Sequence, residues 1–305
     1  MESRNHSTVT HFILLGFSSD SNIQIGLFLI FLVVYVVLLV ANILLILAVT
    51  CDHRLHNPMY FFLINLSIIN ICGPSVIVPR MLVDFLSGDK SIVFAACVTQ
   101  MFFNILLGGS ECILLVFMAY DRYVAICNPL RYNDIMNRSV CVLMIMVMWT
   151  VCSATSSINI FIVYTMTFCG PNAINHFMCS SKYLAILSCS DTSSSNSLSI
   201  FVGTTILLVP FLFILFSYYK IISSIKGIRG GRYKAFSSCT PHLIVVTLFF
   251  VSLTVNAMRT NVSVDDNRGK VLSVFSVIIT PMVNPMVYSL RNNDVIGALK
   301  HLQGY

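Results

Sequence analysis

The chain has 305 residues, 57% of them hydrophobic and 10% charged, with 18 Lys+Arg against 12 Asp+Glu and a net charge of +6. A soluble domain carries about 25% charged residues, so this composition cannot cover a globule with a water-compatible surface. The 22 Phe and the low net charge exclude disorder, and the dispersed basic residues exclude nucleic acid as a partner, which leaves a multi-pass membrane protein.

Residues 1–22 are polar and lack both a basic n-region and a small-residue cleavage site, so the first apolar run is expected to stay as a membrane anchor. A crossing helix needs about 20 apolar residues. Such segments fall at 24–50, 58–86, 97–127, 140–163, 197–222, 236–258 and 270–290. Seven of them predict an all-α membrane protein, a seven-transmembrane helix bundle filling residues 1–305 as one domain. Pro58, Pro79, Pro210, Pro281 and Pro285 are tolerable there, because neighbouring helices can re-satisfy the carbonyls that proline frees. The third span is weakly apolar at Gly108-Gly109-Ser110-Glu111, and the seventh is short. In the tail, 291–305, the three- and four-residue spacing of Val295, Ile296, Leu299 and Leu302 predicts a short amphipathic eighth helix on the membrane surface.

An odd number of spans puts the termini on opposite sides. One set of connections holds Arg54, Arg122, Arg131, Arg138, Lys220, Lys226, Arg229, Arg232, Lys234, Arg291 and Lys300, against only Asp52, Asp121, Asp134 and Asp294. That excess marks the cytoplasm and puts the N-terminus outside. Asn5-His6-Ser7 is then a glycosylation sequon on the outer tail, whereas Asn137-Arg138-Ser139 faces the cytosol and is expected to be unused.

The outer connection 164–196 is the longest. It carries Cys169, Cys179 and Cys189, and Cys97 starts the third span on the same side. Four thiols in an oxidising compartment predict disulfides, with three pairings open. The remaining cysteines read as small buried hydrophobes, and no Cys/His cluster has zinc spacing.

Ionisable groups at membrane depth are costly and point to function. Glu111 lies near the middle of the third span, and Asn42, Asn70 and Asn284 are the amides able to meet it in the bundle core. Amide contacts alone amount to interhelical glue of about 0.6 kcal/mol each. A lone carboxylate is poor glue, so this cluster is the candidate polar switch. Asp121-Arg122 lies ten residues on, about 15 Å lower at the cytosolic end. It reads as a pair that restrains the helix ends and releases on activation.

At these residues the chain resembles a known family. Met118-Ala-Tyr-Asp-Arg-Tyr-Val-Ala-Ile-Cys127 resembles the helix 3 signature of the odorant receptors, a branch of the rhodopsin-like G-protein-coupled receptors. Leu55-His-Asn-Pro-Met-Tyr-Phe-Phe-Leu63, Ser217-Tyr218, Lys234-Ala-Phe-Ser-Ser-Cys-Thr-Pro-His242 and Pro281-Met-Val-Asn-Pro-Met-Val-Tyr-Ser-Leu-Arg-Asn292 resemble the family's helix 2, 5, 6 and 7 signatures, in order. The LHNPMY form and the short third outer loop look like the larger, land-vertebrate class. The resemblance implies a Cys97–Cys179 disulfide, leaving Cys169–Cys189. It implies a plasma-membrane receptor that binds a small volatile and activates a stimulatory, olfactory-type heterotrimeric G protein, raising cyclic AMP. Asp121, Arg122, Tyr123, Tyr218, His242, Asn284, Pro285 and Tyr288 then belong to the activation switch and coupling face. Membrane lipids are the remaining partner, and no cofactor is implied.

The chain departs from the pattern at several positions. Asn70 stands where the family has Asp, Phe250-Val251 where it has Tyr-Gly, and Ser276 where Tyr is common. With Asn70, one carboxylate of what resembles a superfamily cation site is gone.

Carried over by position, the ligand wall lies between helices 3, 5, 6 and 7. Helix 3 gives Asn104, Ile105, Gly108 and Gly109, and helix 5 gives Val202, Gly203 and Ile206. Helix 6 gives Phe250, Leu253, Thr254 and Ala257, and helix 7 gives Val274. This wall is apolar apart from Asn104 and Thr254, with no carboxylate, and implies a small, neutral, mostly hydrophobic ligand. A transporter would show inverted repeats or paired broken helices. An intramembrane enzyme would show a zinc motif, a Ser/His pair or paired aspartates. Neither pattern is present, so no enzymatic activity is expected.

Overall fold

The protein is described from a computed structural model that covers residues 10–18, 20–169, 172–189, 193–225, 232–257, 267–290 and 293–302. Helix α1 (Ser21–Cys51) starts at Asp20, whose carboxylate accepts from the Asn22 and Ile23 amides. Helix α2 (Pro58–Leu86) starts at Asn57 with Pro58 in its first turn, where a missing N–H does no harm. Helix α3 (Phe94–Cys127) runs unbroken through the Gly-Gly-Ser-Glu stretch. A short helix α4 (Tyr132–Ile135) leads into α5 (Arg138–Tyr164), which Asn137 caps from the cytosolic side. The outer loop carries a small helix α6 (Ser181–Leu187). Then come α7 (Ser193–Ile225) and α8 (Arg232–Ala257).

The seventh span is α9 (Asn267–Val274), a π-helical stretch (Phe275–Ile279) and α10 (Thr280–Leu290) in continuous succession. Six of the spans are long and apolar enough to cross a bilayer, and the sixth in chain order contributes a shorter apolar stretch, Cys239–Val255. The amphipathic tail helix α11 (Asn293–Leu302) buries Val295 and Ala298 and packs on α1. Asn5 lies outside the described residues.

α3 is the central helix. It touches α2, α5, α7 and α8, and its span is the most buried, at 56% against 22% for α1. Large apolar side chains such as Ile25, Leu29 and Val33 stay exposed along α1. With no hydrophobic drive between helices in lipid, such a face stays outward.

The outer side adds three strands to the expected all-helical plan. β1 (His11–Leu14) pairs antiparallel with β2 (Ser91–Val93) and parallel with β3 (Ala173–Ile174). The alternation His-Phe-Ile-Leu puts Phe12 and Leu14 inward, where both are fully buried. Phe12 packs edge-on against Phe168 at 5.3 Å. The N-terminal segment, the α2–α3 connection and the outer loop are thereby laced together.

Candidate functional site

Two disulfides fix the outer loop. Cys97 is bonded to Cys179 and Cys169 to Cys189. The Cys179 amide also donates to Gln100 Oε1 at 2.9 Å, while Gln100 Nε2 donates to the Val76 carbonyl at 3.3 Å. Gln100 thus joins α2, α3 and the loop, a role invisible in its sequence context. Lys270 Nζ donates to Asn175 Oδ1 at 2.7 Å, tying the top of α9 to the same loop. Next to Cys179, Met178 is held over the bundle.

Beneath Met178 lies a cavity of about 150 Å³. From α2 it takes Ile69, Gly73 and Pro74; from α3, Asn104, Leu107, Gly108 and Glu111; from α8, Phe249 and Leu253. Ser273, Ser276, Val277 and Pro281 of the seventh span close it. Of the wall expected from sequence, Asn104, Gly108 and Leu253 line this cavity. The other described members do not line it. Gly109 faces the opposite way, where an added Cβ would sit 3.4 Å from Cys152 Sγ and 4.0 Å from Ile206. Phe250 packs against Phe211 with ring centres 5.2 Å apart and tilted by 40°, and Val274 joins the cluster around Leu38 and Ile77 on the α1–α2 side. Ile105 and Val202 are half-buried, and Gly203 and Thr254 are exposed. The side chain of Ala257 lies outside the described residues.

This cavity opens toward α2, where Gly73 and Gly108 leave open space, whereas a Cβ on Gly109 would meet Cys152 and Ile206. Glu111, which the expected wall did not include, lines this cavity. The π stretch is the local signal that sequence periodicity misses. Its wider turn presents Ser276 and Val277 to the cavity, and Thr280 Oγ1 donates to the Phe275 carbonyl at 3.0 Å.

Below the cavity the four polar residues form one chain of hydrogen bonds. Asn284 Nδ2 donates to Glu111 Oε1 at 3.2 Å and to Asn70 Oδ1 at 3.3 Å. Asn70 Nδ2 donates to Asn42 Oδ1 at 3.3 Å, and Asn42 Nδ2 donates to the Pro281 carbonyl at 3.1 Å. That carbonyl is the one Pro285 leaves without its helical partner, four residues on. Asn42 fills the gap, so the relay returns to the helix it left. Asn70 acts as donor and acceptor at once; an ionised Asp would only accept and would orphan Asn42 Oδ1.

At the cytosolic end Asp121 is fully buried, and Arg122 donates to its Oδ2 at 2.6 Å. Tyr132 Oη donates to Asp121 Oδ1 at 2.7 Å. Burial, then the Asp121 charge, pushes the Tyr132 phenol up, so it stays a donor. His242 bridges three helices: Nε2 donates to the Leu115 carbonyl of α3 at 3.1 Å, leaving Nδ1 of the neutral ring to accept from Tyr218 Oη of α7 at 2.7 Å. Tyr123 is half-buried, with its ring 6.3 Å from that of Tyr120. Tyr288 is buried, and its hydroxyl meets no partner among the described residues. Lys226, Arg229 and Arg291 of the basic residues that mark the cytoplasmic side lie outside the described residues.

The family model described as olfactory receptor matches residues 31–303. The chain is 43% identical over 298 residues to Olfactory receptor 10A7 of Homo sapiens, covering 97% of this chain and 94% of that one. It is 42% identical over 301 residues to Olfactory receptor-like protein OLF4 of Canis lupus familiaris, covering 98% and 97%. Among solved structures, squid rhodopsin superposes with a TM-score of 0.76 over 93% of this chain and 86% of that chain, at 19% identity, a likeness of fold.

Proposed function

The chain belongs to the olfactory receptor family, and from that premise we propose that it binds a small neutral volatile in the cavity under Met178 and activates a stimulatory, olfactory-type G protein to raise cyclic AMP. Membership makes it a multi-pass membrane receptor that signals through a G protein, not an enzyme. The observation that carries the finer reading is the cavity itself. At about 150 Å³ it falls below the range of about 300–1,000 Å³ typical of drug-sized ligands. Its wall is mostly apolar, with Asn104, Ser273 and Ser276 as hydrogen-bonding groups. Each such bond contributes about 0.5–1.5 kcal/mol, so binding is weak and selective by shape. Glu111 on the wall adds one further hydrogen-bonding group for a ligand hydroxyl.

Signal passage follows from the geometry below. A ligand seated on Glu111 and Ser276 biases the relay through Asn284 and Asn70, and hence the seventh helix that Asn42 holds at Pro281. The cytosolic response is release of Arg122 from Asp121, with Tyr218 and Tyr288 as its partners in the open state. The test is a panel of neutral volatiles on cells making cyclic AMP, with surface expression verified. Gly108→Leu projects a side chain into the cavity and is expected to raise the half-maximal concentration by more than about tenfold. Gly109→Ala, on the opposite face, is expected to leave it unchanged. Equal responses from wild type and Gly108→Leu contradict the placement, and a response confined to protonated amines contradicts the neutral ligand.

A further inference from the structure

A cavity roomier than the one under Met178 lies elsewhere. On the cytosolic side, between the start of α2 and the start of α5, a cleft of about 550 Å³ opens. Its size is within the range of about 300–1,000 Å³ of ligand clefts. The inner part is apolar, with Leu55, Phe61, Ile64 and Cys141 on its walls. The rim is polar, with His56 and Arg138, both exposed. Arg138 begins α5 at the cytosolic boundary, and Cys141 lies one turn, about 5 Å, deeper. Phe61 and Ile64 continue α2 inward from His56 in the same sense. A cation at headgroup level above an apolar slot is the profile of an amphiphile with an acidic head.

The charge on this rim is available. Asp52, the acid of the α1–α2 turn, is engaged by Arg54 at 2.7 Å, and Arg138 forms no salt bridge with any described residue. Asp134, one turn before Arg138, is exposed to solvent. The cytoplasmic leaflet is the anionic one, and basic pockets between helices on that side attract acidic headgroups. We propose that this cleft holds one anionic phospholipid of the cytoplasmic leaflet, its headgroup on Arg138 and His56 and an acyl chain against Phe61, Ile64 and Cys141. The site is separate from the cavity under Met178, so it stands whatever the odorant is.

The test is native mass spectrometry of the full-length receptor from micelles holding equal phosphatidylserine and phosphatidylcholine. Wild type is expected to retain one phosphatidylserine in preference. Arg138→Gln is expected to cut that preference about fivefold, the share of one basic residue near an anionic surface. Arg131→Gln removes the same charge from an exposed turn outside the cleft and is expected to change nothing. Ile64→Trp fills the slot and is expected to abolish retention of both lipids. Equal retention of the two lipids by wild type overturns the proposal, as does equal loss in Arg131→Gln, which would mean diffuse attraction. Retention of a sterol or neutral lipid indifferent to Arg138 overturns it too.

Discussion

Receptor carrying Cys97→Ala is expected to be lost from the cell surface. The bond joins residues separated by 82 positions, and in the chain-entropy account closing such a loop contributes about 4.5 kcal/mol. Native stability of a domain is only about 5–15 kcal/mol, so this is a large fraction of it. Both sulfurs are buried in the outer cluster with Phe12, Leu14 and Leu184, so a freed Cys179 thiol sits where nothing replaces the tether. Losing it also loosens the Cys179 amide from Gln100 and lets Met178 leave the cavity roof. The second disulfide spans only 20 positions and contributes about 3.3 kcal/mol on the same account. Cys169→Ala is therefore expected to be the milder change. Surface labelling of receptor tagged outside the membrane measures both. A double Cys97→Ala, Cys179→Ala variant that still fails to reach the surface assigns the loss to the tether rather than to mispairing. Cys97→Ala at wild-type surface levels contradicts the account.

Asp121→Asn is expected to raise signalling without any ligand. Asp121 is wholly buried and serves Arg122 on one oxygen and Tyr132 on the other. Removing the acid takes the neighbouring negative charge from a mostly buried guanidinium, a loss of up to about 3–5 kcal/mol to the state that keeps it buried. An open state that exposes Arg122 to water or to a partner escapes that loss. Each 1.4 kcal/mol of the difference shifts the balance about tenfold, so even part of it produces a large basal rise. Tyr132→Phe removes one neutral donor and is expected to act in the same direction, more weakly. Basal cyclic AMP, corrected for surface receptor, reads the effect. Basal levels in Asp121→Asn equal to wild type contradict the restraint.

Much of the bundle is legible in the sequence, because twenty-residue apolar runs have few alternatives in a bilayer. The predicted third span, 97–127, becomes Phe94–Cys127, and the predicted fifth, 197–222, becomes Ser193–Ile225. The polar relay is partly legible as well, since intramembrane asparagines and a carboxylate have to find one another. The return of Asn42 to Pro281 follows once proline is known to orphan a carbonyl. The outer sheet is not legible. Four residues of alternation are too few to announce a strand, and its partners, Ser91–Val93 and Ala173–Ile174, lie far along the chain. The facing of neighbouring residues around the cavity is not legible either. Gly108 and Gly109 are neighbours on α3, but a helical residue turns through about 100°, so one opens on α2 and the other closes on Cys152 and Ile206. The π stretch shifts the seventh span's face again. Side-chain facing at that resolution is a property of packing, not of spacing.

On the function proposed above, ligand in the cavity under Met178 is read out at Arg122 by a stimulatory G protein. The decisive experiment uses cells lacking their own stimulatory α subunits, with or without the olfactory-type subunit supplied. Cyclic AMP would be compared for wild type and Arg122→Ala at matched surface levels, with a volatile that wild type answers. The expected result is a ligand-dependent rise that needs the supplied subunit and is absent in Arg122→Ala, whose cavity residues are untouched. A rise in Arg122→Ala equal to wild type, or one that needs no supplied subunit, would contradict that readout.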